Sequence, residues 1–231
     1  MIKYGIKIWK KVTKKMITLD YLNSIFDDSK IKIRMVSKRF NLTISNEQIN
    51  HLIRYLLLLK KWNKAYNMTS ITNWNDMLVK HVFDSISVVS FIKGRQVVDV
   101  GSGGGLPGVV LAILLPKISF VLIDSVGKKV IFLNHIKKML DLDNLTAINI
   151  RVENYQTEVL FDTVISRAFS SVSNFQHLCK HLLATNGQMI AMKGAETQQD
   201  TLKNSLLKYE IFEVNVPLLN AKRHVIRMYN V

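Results

Sequence analysis

The sequence predicts an α/β fold: a mostly parallel seven-stranded sheet closed by a terminal antiparallel hairpin, with a small helical unit in front of it. Three observations predict it. From Arg95 onward, short β-branched runs alternate with helical patterns, which implies parallel strands joined by right-handed crossovers. The last two runs are joined by Pro217–Arg223, a connection with no room for a helix, so they pair as an antiparallel hairpin at the sheet edge. A glycine-rich segment also follows the first run and opens a helical pattern, the place where α/β folds hold ligands.

Each element has its own signal. Ser45 followed by Gln48 is a capping box, and Ile49, Leu52, Ile53 and Leu56 then share one helical face. This helix is expected to end near Tyr66, with Asn67 as a left-handed cap. A second helix is expected from about Trp74 to Phe91. Strands are expected at Gln96–Val100, Phe120–Asp124, Thr146–Val152, Phe161–Ser166, Gln188–Met192, Glu210–Val216 and His224–Tyr229, and a helix over Lys128–Leu140. The chain divides into a basic N-terminal extension over 1–40, a helical unit over 41–93 and a ligand-binding core over 94–231.

With 231 residues, the chain can bury one α/β core plus a small appendage. Its 48% hydrophobic and 21% charged residues exclude a disordered chain. The net charge of +15 favours a polyanionic partner. Roughly half of that excess lies in residues 1–40, so the body is only mildly basic. The extension reads either as an RNA-contacting arm or as a solvated tail, and Met16 and Met35 are alternative starts within it.

Cys179 is the single cysteine, which leaves no intrachain disulfide and no zinc cluster and fits a reducing compartment. The longest apolar run, Val109 to Leu115, is too short to span a bilayer. The basic N-terminus lacks the apolar region and cleavage site of a signal peptide.

The most informative segment is Asp99-Val100-Gly101-Ser102-Gly103-Gly104-Gly105-Leu106-Pro107-Gly108. Glycines let the backbone approach a ligand closely, and the helix N-terminus behind them offers free N–H groups. Asp124, about 20 residues on, ends the next strand, where a carboxylate meets ribose hydroxyls. Gly103-x-Gly105-x-x-Gly108 matches the dinucleotide pattern literally, so an NAD(P)-dependent oxidoreductase is a rival reading. Asp99 argues against it, because a carboxylate there repels a pyrophosphate but tolerates a cationic sulfonium ligand. Pro107 lacks the N–H that phosphate cradling uses, and no separate substrate domain fits in the chain. These features point to S-adenosyl-L-methionine as the cofactor and to a Rossmann-like class I methyltransferase. A non-catalytic rRNA-binding or ribosome-assembly factor would fit the charge equally well but has no use for the loop and Asp124.

The methyl acceptor is narrowed by elimination. Adenine amino-group enzymes carry an Asn/Asp-Pro-Pro-aromatic loop after the fourth strand, and here that place reads Ser166-Arg167-Ala168-Phe169. Pyrimidine C5 chemistry needs a cysteine nucleophile, and Cys179 lies in an apolar helical pattern that reads as core. Guanine N7 carries an in-plane lone pair and no proton, so it needs alignment but no general base.

Further along, Trp62-Asn63-Lys64-Ala65-Tyr66-Asn67-Met68-Thr69-Ser70, His81-x-x-Asp84-Ser85, Asp124-Ser125-x-Gly127-Lys128, Arg151-Val152-Glu153, Lys193-Gly194 and Arg223-His224-Val225 accompany the loop. Together they resemble the bacterial small-subunit rRNA guanine-N7 methyltransferases, also called glucose-inhibited division protein B. The resemblance covers about residues 42–231; Met68 departs from the family's usual leucine, and the extension has no counterpart. It implies methylation of one guanine N7 in the decoding-region loop of 16S rRNA, in the cytoplasm. It also implies that Gly101 and Leu106 line the methionine and adenosine side of S-adenosyl-L-methionine, that Val152 and Glu153 flank the adenine, and that Arg167 sits near the cofactor. With Gly103, Gly105 and Asp124 these make up the expected cofactor site. The expected partner is 16S rRNA in the small ribosomal subunit, with no membrane and no metal, bound by a monomer.

Alternatives stay open at single residues. Arg151 and Glu153 could form a surface ion pair, Arg167 could pair with Asp99 or Asp162, and His81 and Asp84 could be a helix-surface pair without a catalytic role. Trp62 and Tyr66, one turn apart, could stack on a flipped base or pack in the core. Lys64, Lys80, Lys93, Lys128, Lys129, Lys193 and Arg223 are candidate phosphate contacts.

Overall fold

Seven strands run in the order β3-β2-β1-β4-β5-β7-β6 through the sheet of the computed structural model. The structure describes residues 19–167, 169, 171–194 and 207–230, with only the backbone for 19–22. The strands are β1 (Gln96–Val100), β2 (Ser119–Asp124), β3 (Leu145–Asn149), β4 (Phe161–Ser166), β5 (Leu183–Lys193), β6 (Lys208–Val214) and β7 (Arg223–Tyr229). β1 to β5 pair in parallel, and β7 inserts antiparallel between β5 and β6. This is the expected fold class, hairpin included.

The helices of the sheet domain are α4 (Gly108–Leu114), α5 (Gly127–Met139) and α6 (Val172–Cys179). They cover both faces, and side-chain alternation along the strands divides the core accordingly. Val97 points into one hydrophobic cluster and its neighbour Val98 into the other, as the two-residue repeat of a strand requires. β3 is shorter than its β-branched run. Its pairing with β2 ends at Asp124↔Asn149, and the chain turns into a 3-10 segment at Val152–Asn154. β5 begins earlier than expected, because Leu183 pairs with Phe161 ahead of a register shift.

Three helices precede the sheet: α1 (Leu19–Arg39), α2 (Asn46–Tyr66) and α3, which starts at Trp74–Met77 and ends at Asp84–Ile86. The capping box at Ser45 is formed in both directions, and Asn67 closes α2 in the left-handed conformation at φ 51°. α3 contains a π-helical stretch, Leu78–Phe83, and ends before the expected Phe91. Residues 1–40 are not one uniform tail. Ile33 and Val36 of α1 are buried in the main core, and Trp74 donates its indole N–H to Ser29 Oγ at 3.0 Å. The remainder of that stretch, 1–18, lies outside the described residues.

The helical unit is joined to the sheet domain by polar bonds as well as by apolar packing. Gln48 accepts the Ser45 N–H and donates to the carbonyls of Ile113 and Leu114 at the end of α4. One side chain thereby satisfies two helix termini.

Candidate functional site

The strand order reverses between β1 and β4, so the crevice at their carboxyl ends is where an α/β sheet binds ligands. The glycine loop leaves β1 there and Arg167 leaves β4. Gly101 and Ser102 both donate their N–H to Ile123 O, at 2.8 and 3.1 Å, which anchors the loop to the end of β2. Ser166 Oγ donates to Val100 O at 2.7 Å and fastens β4 to β1.

Two glycines are required by geometry. Gly105 has φ +96°, and a Cβ on it would lie 2.4 Å from Val109 Cγ2. At Gly108 a Cβ would come 2.6 Å from Asp99 Oδ2, and that close approach lets the Gly108 N–H donate to the carboxylate at 2.9 Å.

Asp124 brackets the loop. Its Oδ2 accepts the Gly103 N–H and its Oδ1 the Val126 N–H, each at 2.8 Å. A carboxylate has about four lone-pair sites, so both oxygens can still accept a hydroxyl. From the helical side, Tyr55 Oη donates to Gly104 O at 2.6 Å, fully buried. Burial pushes the Tyr55 hydroxyl well above the usual phenol range, so it stays a donor.

A cavity of about 190 Å³ lies over this loop, lined by Met68, Thr69, Gly101, Ser102, Gly103, Gly104, Leu106 and Arg167. Among the expected cofactor residues, Gly101, Gly103, Leu106 and Arg167 therefore meet in one place. Asp124 touches it through Gly103. Gly105 turns inward beneath Val109 and Leu133. Val152 and Glu153 stand in the 3-10 turn after β3, beside the end of β2, and do not line this cavity. Val152 is buried, and Glu153 faces solvent near Arg151 at 3.9 Å.

The buried carboxyl of Asp99 bears on what the loop can hold. Its Oδ1 has no hydrogen-bond partner. Burial raises its pKa to about 7, opposed by the Gly108 N–H and the charge of Arg167. A cationic ligand nearby would stabilise the ionised form, whereas a pyrophosphate would be repelled. The residues present therefore fit a sulfonium-bearing nucleoside.

A second, larger cavity of about 360 Å³ adjoins the first and shares Thr69 and Arg167 with it. It is lined also by Lys80, His81, Asp84, Lys193 and Arg223. Arg167 pairs with neither Asp99 nor Asp162. Its Nη1 donates to Lys80 O at 2.9 Å and to Asp84 Oδ2 at 3.2 Å, while Arg223 Nε donates to Asp84 Oδ1 at 2.9 Å. One buried carboxylate thus holds two arginines that line the cavity, one on each oxygen. Lys193 donates to Phe169 O, and Asp162 is used elsewhere, accepting the Arg95 and Gln96 N–H groups.

His81 and Asp84 are not a surface pair: both are buried. His81 Nε2 lies 3.0 Å from Thr69 Oγ1, and burial followed by the Arg167 charge lowers its pKa to about 4, so it is neutral at pH 7. Local sequence carries no signal for this burial. Leu78, Val79, Val82, Phe83 and Ile86 share one face of about 140°, and His81 and Asp84 lie off it, so periodicity alone reads them as solvent-facing.

Trp62 and Cys179 are structural. The Trp62 ring packs 5.3 Å from Phe132 and 5.4 Å from His135, which joins α2 to α5. Cys179 is buried in the second core cluster, and burial raises its thiol to about 12. Among the described residues no group of three or more His, Cys, Asp or Glu could hold a metal ion, and no helix is long and apolar enough to cross a membrane.

Comparison with known proteins bears on family and fold. The family model described as rRNA small subunit methyltransferase G (GidB) matches residues 48–226. A ribosomal RNA small subunit methyltransferase G of Francisella philomiragia subsp. philomiragia is 52% identical over 202 residues, covering 87% of this chain and 98% of that protein. Its counterpart in Francisella tularensis subsp. novicida is 51% identical over the same shares. A SAM dependent methyltransferase of known structure from Aquifex aeolicus shares the fold, with a TM-score of 0.53 and 15% identity over 74% of this chain and 96% of that one.

Proposed function

This chain belongs to the rRNA small subunit methyltransferase G family, and we propose that it transfers a methyl group from S-adenosylmethionine to one guanine N7 in the decoding-region loop of 16S rRNA. The observation that carries this reading is the pair of joined cavities. One lies over the glycine loop, the other is ringed by cations, and Thr69 and Arg167 are common to both.

The cofactor would be held by the backbone of Gly101 and Gly103, the Leu106 side chain and Arg167, with Asp124 accepting from ribose. Val152 and Glu153, beyond the end of β3, would flank the adenine edge, and Gly105 supports the loop from beneath. S-adenosylmethionine supplies an electrophilic methyl group on a positively charged sulfur. The acceptor lone pair of guanine N7 is already free, so no side chain has to remove a proton from it. This agrees with a cavity whose histidine is neutral and whose lining carboxylate, Asp84, is committed to two arginines. Asp84, Arg167 and Arg223 would set the depth and orientation of the target nucleotide, which must leave its stack to enter. Arginine is suited here to phosphate and sugar oxygens, since a guanidinium on N7 would block the nucleophile.

The test is incorporation of tritiated methyl from labelled S-adenosylmethionine into 30S subunits of a strain lacking this gene, followed by mapping of 7-methylguanosine. Signal at a single guanine N7 of the decoding-region loop is the expected result. A methyl group at another atom, or none with cofactor binding intact, overturns the reading of the acceptor.

A further inference from the structure

We propose that the solvent face formed by α2 and α5 is the landing surface for the phosphate backbone of rRNA flanking the target nucleotide. This rests on the functional reading above and assigns the surface that serves the site. The two helices lie side by side, joined by the contacts of Trp62 with Phe132 and His135. The pair carries Lys61 and Lys64 on α2, and Lys128, Lys129, Lys137 and Lys138 on α5, with Lys128 and Lys138 exposed on the side of His135.

These charges are uncompensated. α5 contains no carboxylate, and α2 has only Glu47, in its first turn and far from the lysines. None of the six lysines has an ion-pair partner among the described residues. Two of them converge on one ring: burial and then the charges of Lys61 and Lys138 disfavour protonation of His135, so both lysines lie beside it, and burial and then Lys64 do the same to Lys60. A surface that assembles like charge without counter-charge gains stability from a polyanion, through counterion release.

The surface is also continuous with the site. Lys129 Nζ lies 3.6 Å from the position a Cβ on Gly103 would take, so the cationic track begins at the glycine loop. On α5 itself Lys128 and Lys138 lie about 80° apart around the helix, on the side that carries His135, and about 15 Å apart along it at 1.5 Å per residue, enough for a few successive phosphates. Tyr66 stands at its other edge, 44% exposed and braced by the Trp62 ring at 5.1 Å, where a flanking base can stack on it. An anionic membrane would also meet the charge, helped by exposed Ile131 and Val126. RNA is favoured because the track starts at the cavity that takes the nucleotide.

The test compares the full chain with a triple variant, Lys61→Glu, Lys64→Glu and Lys138→Glu, and with a control of equal net charge, Lys117→Glu, Lys180→Glu and Lys208→Glu, all exposed and outside α2 and α5. Binding of unmethylated 16S rRNA is titrated against salt, and KM, kcat and cofactor affinity are measured. Methylation by the unaltered chain comes first, since its failure defeats the functional reading and not the surface. The α2–α5 variant is expected to raise the KM for RNA at least about tenfold and to reduce the slope of log binding constant against log salt by about 2, at 0.7 to 0.9 per lost phosphate contact. Its kcat and cofactor affinity should stay within about twofold of the unaltered chain, with the control unchanged throughout. A salt slope equal to the control's overturns the proposal, as does a defect confined to anionic vesicles with rRNA binding intact. The milder set of Lys→Gln changes at the same three positions is expected to show the same slope loss, which separates contact loss from misfolding.

Discussion

Arg223 donates its Nε–H to Oδ1 of Asp84 at 2.9 Å, joining residues 139 apart in sequence. The other oxygen of Asp84 receives Arg167, so one carboxylate sets the spacing of two guanidiniums that line the larger cavity. Replacing it separates positioning from charge. Asp84→Asn keeps the shape but turns an amide N–H toward a cation. Both arginines are about one quarter exposed, so the loss of stability should be moderate, about 1–3 kcal/mol by thermal melting. The KM for rRNA should rise several-fold while cofactor affinity, read by calorimetry, moves less. An unchanged KM would show that the arginines need no carboxylate between them.

Asp124→Ala removes the acceptor of the Gly103 and Val126 N–H groups and the ribose partner together. Cofactor affinity should fall by more than about tenfold, as expected for about 1.5–3 kcal/mol of charge-assisted bonding, with rRNA binding within about twofold. Equal loss of both would mean that the bracket supports the whole fold.

Tyr55→Phe tests the tie between helical unit and loop. It leaves the Gly104 carbonyl buried without its donor and should cost about 1–3 kcal/mol in denaturant unfolding. Loosening of the loop should appear as a weaker cofactor affinity with no change in the salt dependence of RNA binding.

Two buried groups give opposite pH slopes. His81 has a folded pKa near 4 against 6.5 unfolded, so the unfolded chain binds the extra proton and stability is lost as pH falls from about 6.5 to 4. Asp99 has a folded pKa near 7 against 3.8, so the folded chain keeps the proton and stability is lost as pH rises from about 3.8 to 7. The two contributions oppose each other over the shared window. Relative to the unaltered chain, Asp99→Asn should make the melting temperature climb more steeply from pH 4 to 6.5, and His81→Gln should make it fall. Parallel pH profiles in all three proteins would contradict these burial effects.

Cys179 should react with iodoacetamide only on unfolding, because its thiol is buried and held near pKa 12. Cys179→Ala should lose about 1 kcal/mol of stability through the small cavity it leaves and retain methyl transfer. Loss of activity in a folded Cys179→Ala protein would point instead to a covalent step.

Local pattern was enough for the elements that local physics decides. The Ser45–Gln48 cap, the Asn67 terminus, the alternation of strands and helices, the hairpin and the glycine loop each depend on residues within a few positions of one another. Periodicity and turn chemistry report such relations directly. The cofactor cavity was partly legible for the same reason, since Gly101, Gly103 and Leu106 share one loop. Arg167 joined them only by resemblance. The larger cavity could not be read this way. Asp84, Arg167 and Arg223 meet because α3, β4 and β7 converge, and no spacing along the chain encodes that convergence. A carboxylate one turn from a histidine reads as a surface pair until packing buries it, and only the tertiary structure decides which partner then satisfies its charge.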